Sequence, residues 1–350
     1  SYAVHEPLGV VGAIVPWNFP LHMAMWKVAP ALAMGNSVVL KPAEQSPMTA
    51  IRVAELALEA GLPAGVFNVV PGLGETAGKA LALHMDVDMI AFTGSGVVGR
   101  LLMQYSGQSN LKRVSLELGG KSPQIIFPDC PDMAAAARSA VWSVFYNQGQ
   151  VCTAASRLLV HEAIRDEFVE EVVKIAGRIE AGDPLDPATR FGAMVSERQM
   201  ETALRYIGTA KAEGGDLVLG GGRVRAETGG FYVAPTIFDR VARDATLARE
   251  EVFGPLLAVF RAADLDHALG LANDTDYALT AGILSRSPAH IRRAVAELRA
   301  GNVYVNRATT GAVVGRQPFG GHGLSGVGSK AGGPDYLLQL LDPRAVSENT

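Results

Sequence analysis

Short runs of apolar and β-branched residues alternate with longer, mixed runs along almost the whole chain. Val10-Val11-Gly12-Ala13-Ile14-Val15 reads as a buried strand, and His22 to Met34 as a helix closed by Gly35. Ser37 to Leu40 is a second predicted strand. Ser46-Pro47 then opens a helix that ends at Gly61, with Ser as N-cap, Pro at the first helical position and Gly just past the end. Further strands are predicted near Val66–Val70, Val87–Phe92 and Val114–Leu118. Strands separated by helical crossovers imply a parallel sheet covered on both faces.

A second alternation begins with the alanine-rich helical run Met133–Tyr146. It continues through a strand at Arg157–Val160, helices at Ile164–Ile179 and Glu197–Glu213, and strands near Leu217–Leu219, Val252–Phe260 and Thr280–Leu284. A helix around Ala289–Arg299 and the strand Asn302–Val305 close it. The glycine-rich stretches Gly214–Gly230 and Gly320–Gly333 are expected to be loops. The fold class is therefore α/β, with two domains and a boundary near residues 118–130.

Composition narrows the function classes. At 350 residues the chain is long enough for about two domains of ~150 residues. A formal charge of −4 offers no basic surface for nucleic acid. No apolar run reaches the ~18–20 residues of a membrane span, and no signal peptide is visible. Two cysteines, Cys130 and Cys152, cannot build a disulfide framework, so a reducing cytoplasm is the expected compartment. The seven histidines show no metal-ligand spacing, and no metal is expected. The chain opens on Ser1 and enters a strand pattern almost at once, which suggests a piece of a longer protein.

Cys152 stands out because it lies in Phe145-Tyr146-Asn147-Gln148-Gly149-Gln150-Val151-Cys152, a polar turn directly after an apolar helical run. A cysteine kept for packing belongs inside such a run; one in a turn is a candidate nucleophile. Cys130 lacks an acid–base neighbour and reads as structural. Between the strand Met89–Phe92 and a helical run from Val97 to Tyr105 lies Gly94-Ser95-Gly96-Val97-Val98-Gly99, a G-x-G-x-x-G. Its glycines would admit a pyrophosphate to the helix N-terminus. The same fingerprint expects an acid about 20 residues on, near the end of the next strand. Glu117 falls there, and spacing leaves it open between a ribose ligand and a general base for Cys152.

Seven segments resemble the aldehyde dehydrogenase superfamily, in the family's order. They are Pro16-Trp17-Asn18-Phe19-Pro20, Lys41-Pro42-Ala43-Glu44, Phe92-Thr93-Gly94-Ser95 and Leu116-Glu117-Leu118-Gly119-Gly120-Lys121, then Gly149-Gln150-Val151-Cys152, Glu250-Glu251-Val252-Phe253-Gly254-Pro255 and Pro318-Phe319-Gly320-Gly321. The resemblance implies two doubly wound α/β domains of that type, lacking the family's N-terminal portion. It implies a dinucleotide-binding domain at 8–119, with the chain returning at about 320–338, and a catalytic domain at 120–319. Residues 1–7 and 339–350 would be remnants of an oligomerisation segment, the parent protein being a homodimer or higher homo-oligomer. Cys152 would attack the aldehyde, Asn18 and the Cys152 N–H would hold the oxyanion, and Glu117 would activate water against the thioester. On this reading Glu117 is not the ribose ligand. Lys41 and Glu44 would hold the adenosine ribose, and Glu44 would repel a 2′-phosphate, favouring NAD over NADP. Trp17, Gly94, Ser95, Gly99, Glu251 and Phe253 would complete the cofactor site. Gly96 departs from the family, which often has a hydroxyl residue there.

The tail from Asn306 to Tyr336 is similar to the pyrroline-carboxylate dehydrogenase branch, which oxidises glutamate γ-semialdehyde to glutamate in proline catabolism. Backbone N–H groups of Gly311 and Ala312 would anchor the substrate's carboxylate. Thr153, where that branch usually has serine, and Phe319 would line its site. The stretch from Leu8 to Gln45 and the Cys152 motif look more like broad aminoaldehyde and betaine-aldehyde dehydrogenases. Rival classes are a dehydrogenase without covalent chemistry, an acyl-CoA-forming enzyme, and a truncated, non-catalytic NAD-binding fragment.

Overall fold

Hydrogen bonding turns the first alternation into a six-stranded sheet in the computed structural model, which describes residues 1–349. The strand order is Gly326–Val327, Arg113–Glu117, Met89–Thr93, Val10–Ile14, Ser37–Lys41 and Phe67–Val69. All neighbours are parallel except Gly326–Val327, which runs antiparallel to Arg113–Glu117. Strands that follow Val10–Ile14 in the chain are added first on one side and then on the other. The order therefore reverses between Val10–Ile14 and Met89–Thr93, where a doubly wound sheet leaves a crevice at its strand ends.

The period of two decides which residues pack on which face. Val11, Ala13, Met89 and Ala91 join Ala24, Val28 and Ala31 of the helix Pro20–Ala33 in one core. Ile14, Ile90 and Phe92 join Ala82 and Leu102 in the other, under the helices Lys79–Leu83 and Gly96–Gln108. The helix Pro20–Ala33 ends as predicted, on a left-handed Gly35 (φ 81°) whose N–H bonds back to Leu32 while Asn36 N–H bonds to Ala31. Gly61 (φ 94°) ends Met48–Glu59 in the same way. The start of that helix differs from expectation. Pro47 is itself the N-cap residue, and the buried Ser46 hydroxyl makes no hydrogen bond among the described residues.

The second alternation forms a seven-stranded sheet ordered Asn302–Val305, Thr280–Leu284, Pro123–Ile126, Arg157–His161, Leu256–Ala262, Thr236–Asp239 and Asp216–Leu219. Only Asp216–Leu219 is antiparallel to its neighbour. One face is covered by Met133–Phe145 and Arg165–Ala176, the other by Glu197–Ala212, Leu265–Asn273 and Pro288–Glu297. Leu158, Ile125 and Phe238 are fully buried here. Burying one such side chain is worth about 1.5–3 kcal/mol.

Two compact units result: Ser1–Leu118 with Ala312–Gly320 and the described residues from Ser325 on, and Gly119–Gly311 with Gly321–Leu324. The first division falls at the early end of the expected 118–130 boundary. The return of the chain starts at Ala312 rather than about 320, because Gly332 and Gly333 pack against Val314 and Pro318. The strand expected near Leu217–Leu219 forms as Asp216–Leu219. Both glycine-rich stretches otherwise carry more structure than loops: Arg223–Val224 forms a hairpin with Tyr232–Val233. In the tail, His322–Gly323 pairs with Tyr277–Ala278, and Gly326–Val327 extends the first sheet. The strand expected at Val252–Phe260 begins only at Leu256, since Phe253 adopts a left-handed φ of 55°. Residues Tyr2–Pro7 pair antiparallel with Leu341–Val346 as an exposed ribbon; Thr350, the last residue of the expected oligomerisation segment, lies outside the described residues.

Candidate active site

Apart from Gly99, which lies within the helix Gly96–Gln108, every site residue predicted before Leu118 sits at or just after the end of a parallel strand of the first sheet. Trp17 and Asn18 occupy the bend between Val10–Ile14 and the helix beginning at Pro20. Lys41 ends its strand almost completely buried, and its ammonium meets Glu44 Oε1 at 3.1 Å. Glu44 also accepts from the Gly74 N–H at 2.9 Å. Burial works to raise the Glu44 carboxyl, but these hydrogen bonds and the Lys41 charge outweigh it and bring it below its ordinary value.

The glycine loop follows Met89–Thr93, and Gly94 N–H donates to the Glu117 carbonyl at 3.1 Å. Its three glycines differ in purpose. A Cβ on Gly94 would strike the Phe92 ring at 2.4 Å, and one on Gly99 would strike Leu118 at 2.8 Å. Gly96 has nothing within 4 Å, so no protein atom requires glycine there. Ser95 is the N-cap, its hydroxyl accepting from Val98 N–H at 3.4 Å. A capped helix N-terminus at the switch point, next to a buried Lys41 paired with a half-exposed carboxylate, suits the phosphates and diol of a dinucleotide.

Glu117 closes the Arg113–Glu117 strand with its carboxyl inside the protein, and one oxygen makes no hydrogen bond among the described residues. Burial drives this carboxyl well above the usual carboxylate range, against the opposing charges of Lys27 and Lys330. Lys27 is pushed down, first by burial, with Glu117 pulling the other way. Its ammonium donates to Thr93 Oγ1 at 2.7 Å. These are the properties of a general base that must be deprotonated to act. Lys27 was not singled out from the sequence. The signal was present: it lies on the buried stripe Ala24–Lys27–Val28–Ala31 of its helix, where a lysine costs free energy.

In the second unit the site residues gather at the opposite end, where parallel strands begin. Cys152 is half-buried in the turn before Arg157–His161. Three consecutive residues, Asn147, Gln148 and Gly149, have left-handed φ values of 49°, 55° and 72°. Such backbone is held only by its surroundings. A Cβ on Gly149 would lie 2.1 Å from the Gly254 carbonyl, and one on Gly120 would lie 2.5 Å from the Cys152 carbonyl. Gln150 is buried; its side chain accepts from Val195 N–H at 3.1 Å and donates to the Asn147 carbonyl at 3.3 Å. Gln199 donates to the carbonyls of Val252 (3.2 Å) and Phe253 (2.8 Å), holding Phe253 in its left-handed conformation. Gln199 carried no sequence signal.

Glu251 accepts from Gly120 N–H at 3.0 Å, and a Cβ on Gly119 would collide with its carboxyl at 2.0 Å. Burial raises Glu251 to about 7, opposed by that hydrogen bond and by Lys121. Lys121 is completely buried and its amine makes no hydrogen bond among the described residues; burial and then the Arg157 charge lower it to about 7. Arg157 is satisfied by the carbonyls of Lys121, Leu271 and Ala272 at 2.7–2.9 Å. The glycines of the Leu116–Lys121 and Gly149–Cys152 motifs are thus seats for atoms of Glu251, Cys152 and Gly254.

The expected trio divides between the units: Asn18 and Glu117 in the first, Cys152 in the second. Thr153 is buried, and its carbonyl accepts from Thr309 Oγ1 at 2.9 Å. The unit boundary falls between Gly311 and Ala312. Gly311 is left-handed (φ 83°), and its carbonyl accepts from Arg307 at 3.3 Å. Phe319 is buried edge-on against Trp26, ring centroids 5.4 Å apart, with its backbone bonded to Ala331. Cys130 packs beside Met133 in the second core. A cavity of about 840 Å³ in the second unit, lined by Arg240, Arg243 and Arg261, contains none of the predicted site residues. Among the described residues no cluster of three or more metal-ligating side chains occurs, and no helix is long and apolar enough to cross a membrane.

A doubly wound sheet with a glycine loop at its switch point, and a second with a strained cysteine-bearing turn, define a two-unit protein of the doubly wound α/β class. Residues 1–346 match the aldehyde dehydrogenase family, and the chain belongs to it. It is 48% identical over 331 residues to an aldehyde dehydrogenase of Enchytraeus buchholzi, covering 95% of this chain and 66% of that protein. It is 48% identical over 340 residues to the human mitochondrial aldehyde dehydrogenase, covering 97% and 64%. Among solved structures, an indole-3-acetaldehyde dehydrogenase complexed with NAD+ superposes with a TM-score of 0.95 at 51% identity, over 98% of this chain and 68% of that one. A gamma-glutamyl-gamma-aminobutyraldehyde dehydrogenase from Burkholderia cenocepacia J2315 gives 0.94 at 55%, with the same coverage. The chain thus spans about two thirds of the length of these relatives.

Proposed function

We propose that the protein is an NAD-dependent aldehyde dehydrogenase that oxidises an aldehyde to a carboxylic acid through a thioester on Cys152. The observation carrying this reading is the chemistry of Glu117, a buried carboxyl raised by its surroundings at the switch-point edge of the first sheet. Carboxyls perturbed by burial beside specific charge partners cluster at sites that move protons. It also separates a hydrolytic enzyme from an acyl-CoA-forming one, which has no need to activate water.

The Cys152 thiolate adds to the carbonyl carbon, and the Asn18 amide with the Cys152 N–H stabilises the oxyanion, each donor being worth about 3–4 kcal/mol. Collapse of the thiohemiacetal expels hydride and leaves the acyl group on sulfur. NAD, when bound, accepts that hydride. The ionised Glu117 then takes a proton from water as the water oxygen attacks the thioester; the acid leaves and the thiol is restored. Lys41 and Glu44 would hold the adenosine ribose, Gly94, Ser95 and Gly99 the phosphate loop, and Trp17, Glu251 and Phe253 the remainder. A carboxylate at Glu44 favours NAD over NADP.

For the substrate, the segment from Asn306 to Tyr336 supports glutamate γ-semialdehyde, with Gly311 and Ala312 supplying N–H groups to its carboxylate and Thr153 and Phe319 shaping the pocket. An aminoaldehyde is the second reading, favoured by the 55% identity to the gamma-glutamyl-gamma-aminobutyraldehyde dehydrogenase. NADH formation measured with glutamate semialdehyde, 4-aminobutyraldehyde and betaine aldehyde tests both. The highest kcat/KM is expected with glutamate semialdehyde; a higher value with either of the others overturns that assignment, and no NADH with any aldehyde overturns the activity.

A further inference from the structure

The segment after Val327 brings a second lysine to Glu117. Lys330 Nζ donates to the Gly320 carbonyl. Gly320 is itself the wall against Glu117: a Cβ there would lie 2.5 Å from Oε1. The same two stretches are tied by a two-way backbone bridge, Phe319 N–H to Ala331 O at 2.9 Å and Ala331 N–H to Phe319 O at 2.7 Å. Lys330 therefore sits beside a backbone bridge, and the neighbouring Gly320 borders the carboxyl. Among the described residues the other groups facing Glu117 are Lys27, buried and bound to Thr93, and the buried phenol of Tyr336, which burial and then Glu117 hold well above its ordinary value. Lys330 differs from both in being only half-buried; burial lowers its ammonium, and the Glu117 carboxylate acts against that fall.

We propose that Lys330 is a positioning residue for Glu117: its ammonium fixes the Gly320 wall and faces the carboxyl, keeping the base ionised and aimed. This rests on the assignment of Glu117 as the deacylating base. Burial raises the Glu117 carboxyl, and the Lys330 charge acts against that rise. Removing the charge leaves burial less opposed.

The test is the pH dependence of kcat, with the first-turnover NADH burst, for Lys330→Met, Lys330→Gln and Lys330→Arg. Met and Gln should move the rise of kcat about one pH unit upward, so that turnover near neutral pH falls about tenfold and recovers at high pH. The burst amplitude should not change, and Arg should restore the wild-type profile to within about threefold. A drop independent of pH, an unshifted profile, or failure of Arg to rescue would overturn the proposal. If Met does not fold, Gln carries the same comparison. Glu117→Gln separates the two readings: if it turns over normally, the base assignment fails, whereas if it stalls after the burst while Lys330→Met and Lys330→Gln leave the profile unshifted, only the role of Lys330 fails.

Discussion

The two sheets carry their chemistry at opposite ends. In the first, Asn18, Lys41, Gly94 and Glu117 lie where parallel strands finish; in the second, Gly120, Gly149, Cys152 and Glu251 lie where they begin. The first arrangement follows from topology alone, since strand order reverses there and helix N-termini collect at that edge. The second has no such help. It is assembled from left-handed turns, glycines against carbonyls, and the amides of Gln150 and Gln199. One edge is given by the fold; the other is held by specific contacts and is more easily damaged.

Mutations can break this contrast. Cys152→Ala should abolish dehydrogenase activity, by about 10⁴-fold or more in NADH formation, because no other nucleophile can form the thioester. Retained activity would favour a dehydrogenase without covalent chemistry. Glu117→Gln should slow steady-state turnover about 10²–10⁴-fold and spare the first turnover. In the wild type the sign of the pH effect is set by the same group. A protonated carboxyl cannot accept water's proton, so deacylation is suppressed below its raised value and grows as pH climbs through it. A rate limited by deacylation yet flat from pH 5 to 9 would contradict this.

Smaller effects sharpen the comparison. Gly149→Ala should cost about 1–3 kcal/mol in thermal or urea unfolding, since it meets the Gly254 carbonyl at a φ of 72°. Gly96→Ala, with open space around it, should stay within about 0.5 kcal/mol. Equal losses at the two would mean that both loops are held alike. Glu44→Gln should weaken NAD binding about 5–10-fold and narrow the preference over NADP, read by fluorescence titration; an unchanged ratio would remove Glu44 from cofactor selection.

The same contrast explains what could be read from the sequence. The alternation of runs, the helix ends at Gly35 and Gly61, and the switch-point loop depend on local periodicity and glycine placement, so they were legible. The motif around Cys152 was legible as a turn, but its left-handed run and the roles of Gln150 and Gln199 depend on residues about 45 positions or more away. Lys27 and Lys330 were not recognised as partners of Glu117, because their approach comes from helix packing and from the tail folding back on the first sheet. The glycine-rich tail looked like loop because strands of two residues leave no periodic trace.

The central claim is a thioester on Cys152 released by Glu117, and intact-protein and peptide mass spectrometry of Glu117→Gln mixed with aldehyde and NAD tests it most directly. The account predicts a stoichiometric acyl adduct on the Cys152 peptide, accompanied by one NADH per site and then a stall. NADH produced linearly without any adduct, or an adduct on another residue, would contradict it.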